Sequence, residues 1–202
     1  ITTLGFGHWA VGGADWAYGW GAQDDETSIS AILRAVSAGV NWIDTAAIYG
    51  LGHSEVVVGR ALQRLPASER PYVFTKCGLV LDPANPDREP TRDLTPAAIR
   101  NECEASLRRL GIDCIDLYQF HWPDSSGTPI EESWGTMREL IDEGKIRAAG
   151  ISNHSPELLQ RAASVGRVDA VQPQFSLIAR DSANDVIPWA QAHGEGVIVY
   201  SP

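Results

Sequence analysis

Cysteine is scarce and badly spaced. The chain has three, Cys77, Cys103 and Cys114, an odd number with no CxxC pair. That excludes a disulfide framework and a cysteine-built zinc site, and makes a reducing cytoplasm the expected location. The three thiols read as small core hydrophobes. Basic charge is also short. Sixteen Lys and Arg against 26 Asp and Glu leave a net charge of -10, with no basic stripe to release counterions from a phosphate backbone. Nucleic acid is therefore not an expected partner. Charged residues make up 21% of the chain without a long run of one sign, which argues against extensive disorder. No apolar run is long enough to span a bilayer, and neither a membrane partner nor a signal peptide is expected.

What is present is enough apolar material for one sizeable core, 44% of 202 residues. Short β-rich runs alternate with helical patterns. "TLGFGHWAVGG" is the first run. "DETSISAILRAVSAG" follows, with Ile29, Ile32, Leu33 and Val36 on one face and Gly39 as the stop. "VNWIDT", "PYVFTK", "CIDLYQFH", "IRAAGIS", "DAVQPQF" and "VIVYS" complete seven expected strands. Between them lie helical patterns: one in "SEVVVGRALQRL", one from Thr95 and Pro96 to Gly111, one in "PIEESWGTMRELIDEG", one capped by Ser155 ahead of Pro156, and one in "DVIPWAQAHG". Such alternation builds a parallel sheet. An open doubly wound sheet and a (β/α)8 barrel both satisfy it.

Polar residues stand at the C-terminal end of nearly every run: His8, Asp44, Lys76, His121, Ser152, Gln172 and Tyr200. Chemistry spread over so many strand ends suits a barrel, whose active face is the ring of those ends. An open sheet gathers it at one crevice. The expectation is one barrel domain over residues 1–202 with about seven β/α units. A barrel closes with eight strands and ~250 residues. We therefore expect the natural protein to continue past Pro202, with the eighth strand and final helices beyond it.

The stretch "NWIDTAAIYG" ends an apolar strand on Asp44 and places Tyr49 at the following turn. Lys76 and His121 close the next two runs. Together they form a proton-handling set. A phenol near pKa ~10 does not readily release its proton at neutral pH, and a neighbouring ammonium is expected to lower that value. Lys76 would do this for Tyr49. Asp44 would supply the counter-charge that a buried lysine needs. A neutral His121 would polarise a carbonyl oxygen. Such a site protonates a forming alkoxide but has neither nucleophile nor metal, so electrons must come from a cofactor.

The chain resembles an aldo-keto reductase. The matching pieces are "LGFGHWAVGG", "GVNWIDTAAIYGLGHSEVVVGRAL", "VFTKCG", "SLRRLGIDCIDLYQFHWPD", "LIDEGKIRAAGISN", "AVQPQF" and "GVIVYSP", in the family's order and over nearly the whole length. The Trp-rich start and "HWPD" look most like the bacterial general-stress and inositol-utilisation branch. The resemblance implies an oxidoreductase on a (β/α)8 TIM barrel that reduces aldehydes or ketones with NADPH, NADH not being excluded. It implies Tyr49 as general acid, Asp44 and Lys76 tuning it, and His121 orienting the carbonyl. It implies further that Ser152, Asn153 and Gln172 hold the nicotinamide carboxamide, that Tyr200 beside Ser201 stacks on its ring, and that no metal is needed. The chain departs from the family at His8, where threonine is common beside the nicotinamide ribose, and at His154, where phenylalanine is common. The family's 2′-phosphate site falls beyond Pro202, so the choice between NADP and NAD is not legible.

"GFGHWA" fits a dinucleotide fingerprint but lacks the helix that must follow the glycines. Gly7 is read instead as allowing close backbone approach at the barrel mouth, beside the cofactor. Trp9 and Trp122 are expected to line the substrate cleft, Trp9 also meeting the cofactor. Trp16 and Trp20 are weaker candidates that could simply pin the first loop. The long segment "GLVLDPANPDREPTRDL" is a candidate lid or a disordered loop. Three other readings stand beside the reductase. One is a cofactor-binding redox sensor with little turnover. Another is a metal-dependent barrel hydrolase, disfavoured because the first strand has no H-x-H pair. The third is a non-catalytic fragment. The partner expected is a small carbonyl compound; the oligomeric state is not legible.

Overall fold

The computed structural model describes residues 1–14, 16–81, 84–85 and 88–202. Seven parallel strands lie in one sheet in chain order. They are β1 (Phe6–Gly7), β2 (Trp42–Asp44), β3 (Tyr72–Cys77), β6 (Leu117–Phe120), β7 (Ala149–Ser152), β8 (Ala170–Gln172) and β9 (Gly196–Val197). β4 (Leu79–Val80) and β5 (Thr91–Arg92) form a separate antiparallel ribbon. The helices are α1 (Asp25–Ser37), α2 (His53–Gln63), α3 (Pro96–Leu110), α4 (Ile130–Asp142), α5 (Pro156–Val165) and α6 (Val186–His193). Because strand order never reverses and crossovers are right-handed, the helices share one face and the sheet curls away from them. The architecture is a partial (β/α)8 barrel, as the recurrence of polar strand ends suggests.

Local chemistry accounts for the boundaries. Asp24 caps α1 by accepting from Thr27 N at 2.8 Å. Thr95 caps α3 ahead of Pro96, and Gly111 ends it in the left-handed conformation at φ 65°. Ser155 caps α5 ahead of Pro156. The outermost strands are shorter than their sequence runs, since each pairs on one side only. On the β9 side, parallel pairing resumes as a Gln174–Tyr200 bridge. His53 opens α2 and pairs with Asp25 at 2.8 Å. Among the described residues no helix is long and apolar enough to cross a membrane.

Strand alternation divides the core in two. Outward, Ile43, Val73, Tyr118, Ile151 and Val171 meet the helices in the main core. Inward, Trp42, Phe74, Leu117, Ala170 and Ile198 pack on the concave face. Two residues along each of these strands, at the same parity, come Asp44, Lys76, Gln119, Gln172 and Tyr200. The period of two thus carries an apolar inner layer directly into a polar ring at the barrel mouth.

Candidate active site

Tyr49 opens a tight turn, Tyr49–Gly52, in which Gly50 and Leu51 have φ of 58° and 55°. Gly50 lies against Gly12: a Cβ on Gly50 would come within 2.0 Å of the Gly12 carbonyl oxygen. The first loop and the tyrosine turn are thereby locked together. Behind them the fully buried Glu55 of α2 accepts from Thr75 Oγ1 and Arg109 Nε, both at 2.6 Å. This fixes α2, and so the turn, against β3 and α3.

The four proton-handling residues converge. Lys76 is 2% exposed, and its Nζ donates to Asp44 Oδ2 at 2.5 Å and to the Thr45 carbonyl at 2.9 Å. The same nitrogen lies 3.5 Å from the Tyr49 hydroxyl and 5.3 Å from the centroid of its ring. The His121 ring stands edge-on to that of Tyr49, with centroids 5.7 Å apart. The Asp44 carboxylate serves Lys76, as the counter-charge role requires. Its other oxygen accepts from Gln119 Nε2 at 3.2 Å and Gln172 Nε2 at 3.0 Å. Gln119 was not among the sequence candidates. Its signal was available: it sits two residues before His121, at the parity of Lys76 and Asp44.

The electrostatics correct one expectation. Burial raises the Tyr49 phenol above its ordinary value, and the opposing pull of Lys76 is too weak to bring it below, because Asp44 already neutralises that ammonium. Tyr49 is a phenol that stays protonated. Burial, helped by Lys76, holds His121 well below its ordinary value, so it is neutral. Burial lowers the Lys76 ammonium, but the Asp44 carboxylate and Tyr49 outweigh it and the balance is raised.

The remaining candidates divide by position. Gly7 pairs in register with Asp44 and faces the concave side, where an added Cβ would meet nothing within 4 Å. Ser152 Oγ donates to the Gln172 carbonyl at 2.7 Å. Asn153, at φ 61°, donates from Nδ2 to the His121 carbonyl at 3.0 Å and accepts from the Tyr200 hydroxyl at 2.8 Å. Asn153, Tyr200 and Trp122 line one cavity of about 340 Å³. Ser201 is exposed, with φ of 51°. Gln172 points its amide N–H at Asp44. His8 does not reach the mouth: it is fully buried at the parity of Phe6, with the two ring centroids 4.6 Å apart. Burial lowers it to about 4. His154 is buried, hydrogen bonded to the Ser152 carbonyl at 2.7 Å, and borders the cavity.

Aromatic rings surround Tyr49. Trp9 stacks on it with centroids 5.9 Å apart and planes 8° from parallel, and its Nε1 donates to the Tyr18 carbonyl at 2.8 Å. Trp20 stacks behind Trp9 and is exposed. Trp16 is buried with Ala46, Ile48 and Leu81 and pins the first loop. The segment read as a lid or disordered loop has its base tied by the β4–β5 ribbon, next to Tyr49. Asp82, Pro83, Pro86 and Asp87 of that segment lie outside the described residues.

The chain matches the family model described as the aldo/keto reductase family over residues 3–202. It is 40% identical over 211 residues to the NADH-specific methylglyoxal reductase of Escherichia coli K12, covering 100% of this chain and 64% of that protein. It is 40% identical over 197 residues to aldo-keto reductase YhdN of Bacillus subtilis 168, covering 98% of this chain and 57% of the relative. Among solved structures it superposes on a glycerol dehydrogenase from Gluconobacter oxydans with a TM-score of 0.86 at 42% identity, covering 96% of this chain and 58% of that one. It also superposes on an aldo-keto reductase from Klebsiella pneumoniae in complex with NADPH, with a TM-score of 0.80 at 30% identity, covering 100% and 64%. The chain thus spans about three fifths of the length of these relatives.

Proposed function

The chain belongs to the aldo/keto reductase family, and on that premise we propose that the whole protein reduces an aldehyde or ketone to an alcohol, with Tyr49 giving the proton. The observation that carries this reading is the Lys76 ammonium held between the Asp44 carboxylate and the Tyr49 hydroxyl. A protonated phenol beside a cation is a proton donor suited to a developing alkoxide.

The residues present fit a nicotinamide. Gly7 leaves open space at the mouth, and Asn153, hydrogen bonded to both the His121 carbonyl and the Tyr200 hydroxyl, ties Tyr200 to the proton-handling set. A bound NADPH would supply the hydride. Ser152, Asn153 and Gln172 are the proposed contacts for its carboxamide, Tyr200 and Ser201 for its ring and the adjoining part, and Gly7 and Trp9 for the opposite wall. Tyr49 and His121 would then hold the carbonyl oxygen, Tyr49 donating the proton that the oxygen acquires. Neutral His121 orients without competing as an acid. Lys76 stabilises the phenolate left behind, and Asp44 keeps Lys76 charged. Trp9 and Trp122 exclude water from the reacting carbon. NADPH is the proposed reductant; the name of the Escherichia coli relative makes NADH the second arm of the test.

Titration of each cofactor against wild type and Tyr49→Phe, followed by loss of reduced nicotinamide with a generic aldehyde, tests this. Wild type should turn over. Tyr49→Phe should lose about 10²- to 10⁴-fold in kcat, with cofactor Kd unchanged. Equal turnover by the variant would remove Tyr49 from the role. Binding without turnover in wild type would favour the redox-sensor reading.

A further inference from the structure

In this acidic chain most of the described cations face a carboxylate, as Arg100, Arg109, Lys145 and Arg161 do. Arg92 is different. It sits on β5 with its guanidinium 5.0 Å from the centroid of the Trp122 ring, and it makes no ion pair among the described residues. Trp122 follows His121, whose ring meets Tyr49. Arg92 pairs in register with Leu79, which packs with Tyr49 on the Trp16 cluster. The guanidinium, unpaired among the described residues, therefore stands at the rim of the same cleft.

Its backbone is pinned on two sides. The Arg92 carbonyl accepts from both N and Oγ of Ser125, each at 3.1 Å, while the β4 pairing holds the other side. A guanidinium held over an indole ring retains N–H donors, and their planar fork matches an oxyanion. An arginine so preorganised, at the mouth of a site built for carbonyl compounds, has an evident occupant.

We propose that Arg92, held on Trp122, is a specificity-determining residue that receives an oxyanion on the substrate tail, so that the substrates are aldehydes or ketones carrying a carboxylate or phosphate. This rests on the reductase reading of the site. The charged tail would lie along Trp122 while the carbonyl reaches Tyr49 and His121. The contact is the same in ground and transition state, so it acts on KM and not on kcat.

Two matched pairs test it on the full chain: 4-carboxybenzaldehyde against methyl 4-formylbenzoate, and glyceraldehyde 3-phosphate against glyceraldehyde. Wild type should prefer the charged member of at least one pair by about tenfold to a hundredfold in kcat/KM, as a charge-assisted bond allows. The pair that shows the preference tells carboxylate from phosphate. Arg92→Met should erase it by raising KM for the charged member, with the neutral member within about threefold. No preference in wild type for either pair, or an equal loss on both members in the variant, overturns the proposal. If neither aldehyde is turned over, the reductase reading fails separately. Calorimetric binding of 4-(hydroxymethyl)benzoate and of glycerol 3-phosphate then decides: binding of either, lost in Arg92→Met, keeps the anion site, and absence of both overturns it.

Discussion

The Lys76 ammonium touches the Asp44 carboxylate at 2.5 Å, yet the two are unequally enclosed: the lysine side chain is 1% exposed and the aspartate 15%. Each has a different fallback. Asp44 keeps two glutamine N–H donors and some solvent if Lys76 is lost. Among the described residues, Lys76 keeps only the Thr45 carbonyl and the Tyr49 hydroxyl if Asp44 is lost.

The consequence is an asymmetric double-mutant cycle. Asp44→Asn leaves a buried ammonium without its counter-charge and should cost about 3–5 kcal/mol of unfolding free energy. Lys76→Met should cost distinctly less, and the double variant should be more stable than Asp44→Asn alone. Urea unfolding measures all three. Asp44→Asn no more destabilising than Lys76→Met would mean that solvent or the Thr45 carbonyl, not Asp44, keeps the ammonium charged.

Much of this was legible because strand and chemistry share one period. The residues Trp42, Phe74 and Leu117 announce buried strands, and two positions on each lands on Asp44, Lys76 or Gln119. Capping residues Thr95 and Ser155 placed their helix starts correctly. The β4–β5 ribbon was not foreseen, because two-residue strands leave no periodicity to detect. The direction of the Tyr49 shift was misread for another reason. A sequence shows that a lysine is near but not how deeply the phenol is buried, and burial outweighs Lys76. His8 looked like a mouth residue by its place in the motif. Its parity with Phe6, not Gly7, puts it behind the sheet.

Two glycines, Gly12 on the first loop and Gly7 on β1, should respond oppositely. A Cβ on Gly12 would fall 2.7 Å from Gly50 N and 2.9 Å from the Tyr49 carbonyl carbon, both backbone atoms. Gly12→Ala must push the tyrosine turn away from Lys76. It should cost about 1–3 kcal/mol in stability and at least about tenfold in turnover, the latter because sub-ångström placement matters for proton transfer. Gly7→Ala meets open space and should leave thermal unfolding unchanged while weakening cofactor binding. Unfolding curves with cofactor titrations separate the two. A Gly12→Ala variant with intact turnover would mean that the Gly12–Gly50 contact does not position Tyr49.

Stability should peak near neutrality, for opposing reasons. Burial lowers His8 and His154 from 6.5 to about 4. Below 6.5 the unfolded chain binds these protons and the folded one does not, so stability falls as pH drops from 6.5 to about 4, by about 1.4 kcal/mol per pH unit for each histidine. Glu102 acts the other way. Burial lifts its carboxyl from 4.5 to about 8, only partly offset by the Gly78 N–H it accepts at 3.1 Å. Between 4.5 and 8 the folded chain holds a proton that the unfolded one has released, so its contribution is lost as pH rises through that window. Above 6.5 only the Glu102 slope of this set remains. Glu102→Gln keeps an acceptor for Gly78 and removes the proton. Urea midpoints from pH 4 to 9 should therefore decline above about 6.5 in wild type and stay level there in Glu102→Gln, while the acid limb between 4.5 and 6.5 becomes steeper in the variant because the two histidine slopes are no longer opposed. Parallel curves above that pH would show that Glu102 is already ionised in the folded chain, with a partner the burial argument has missed.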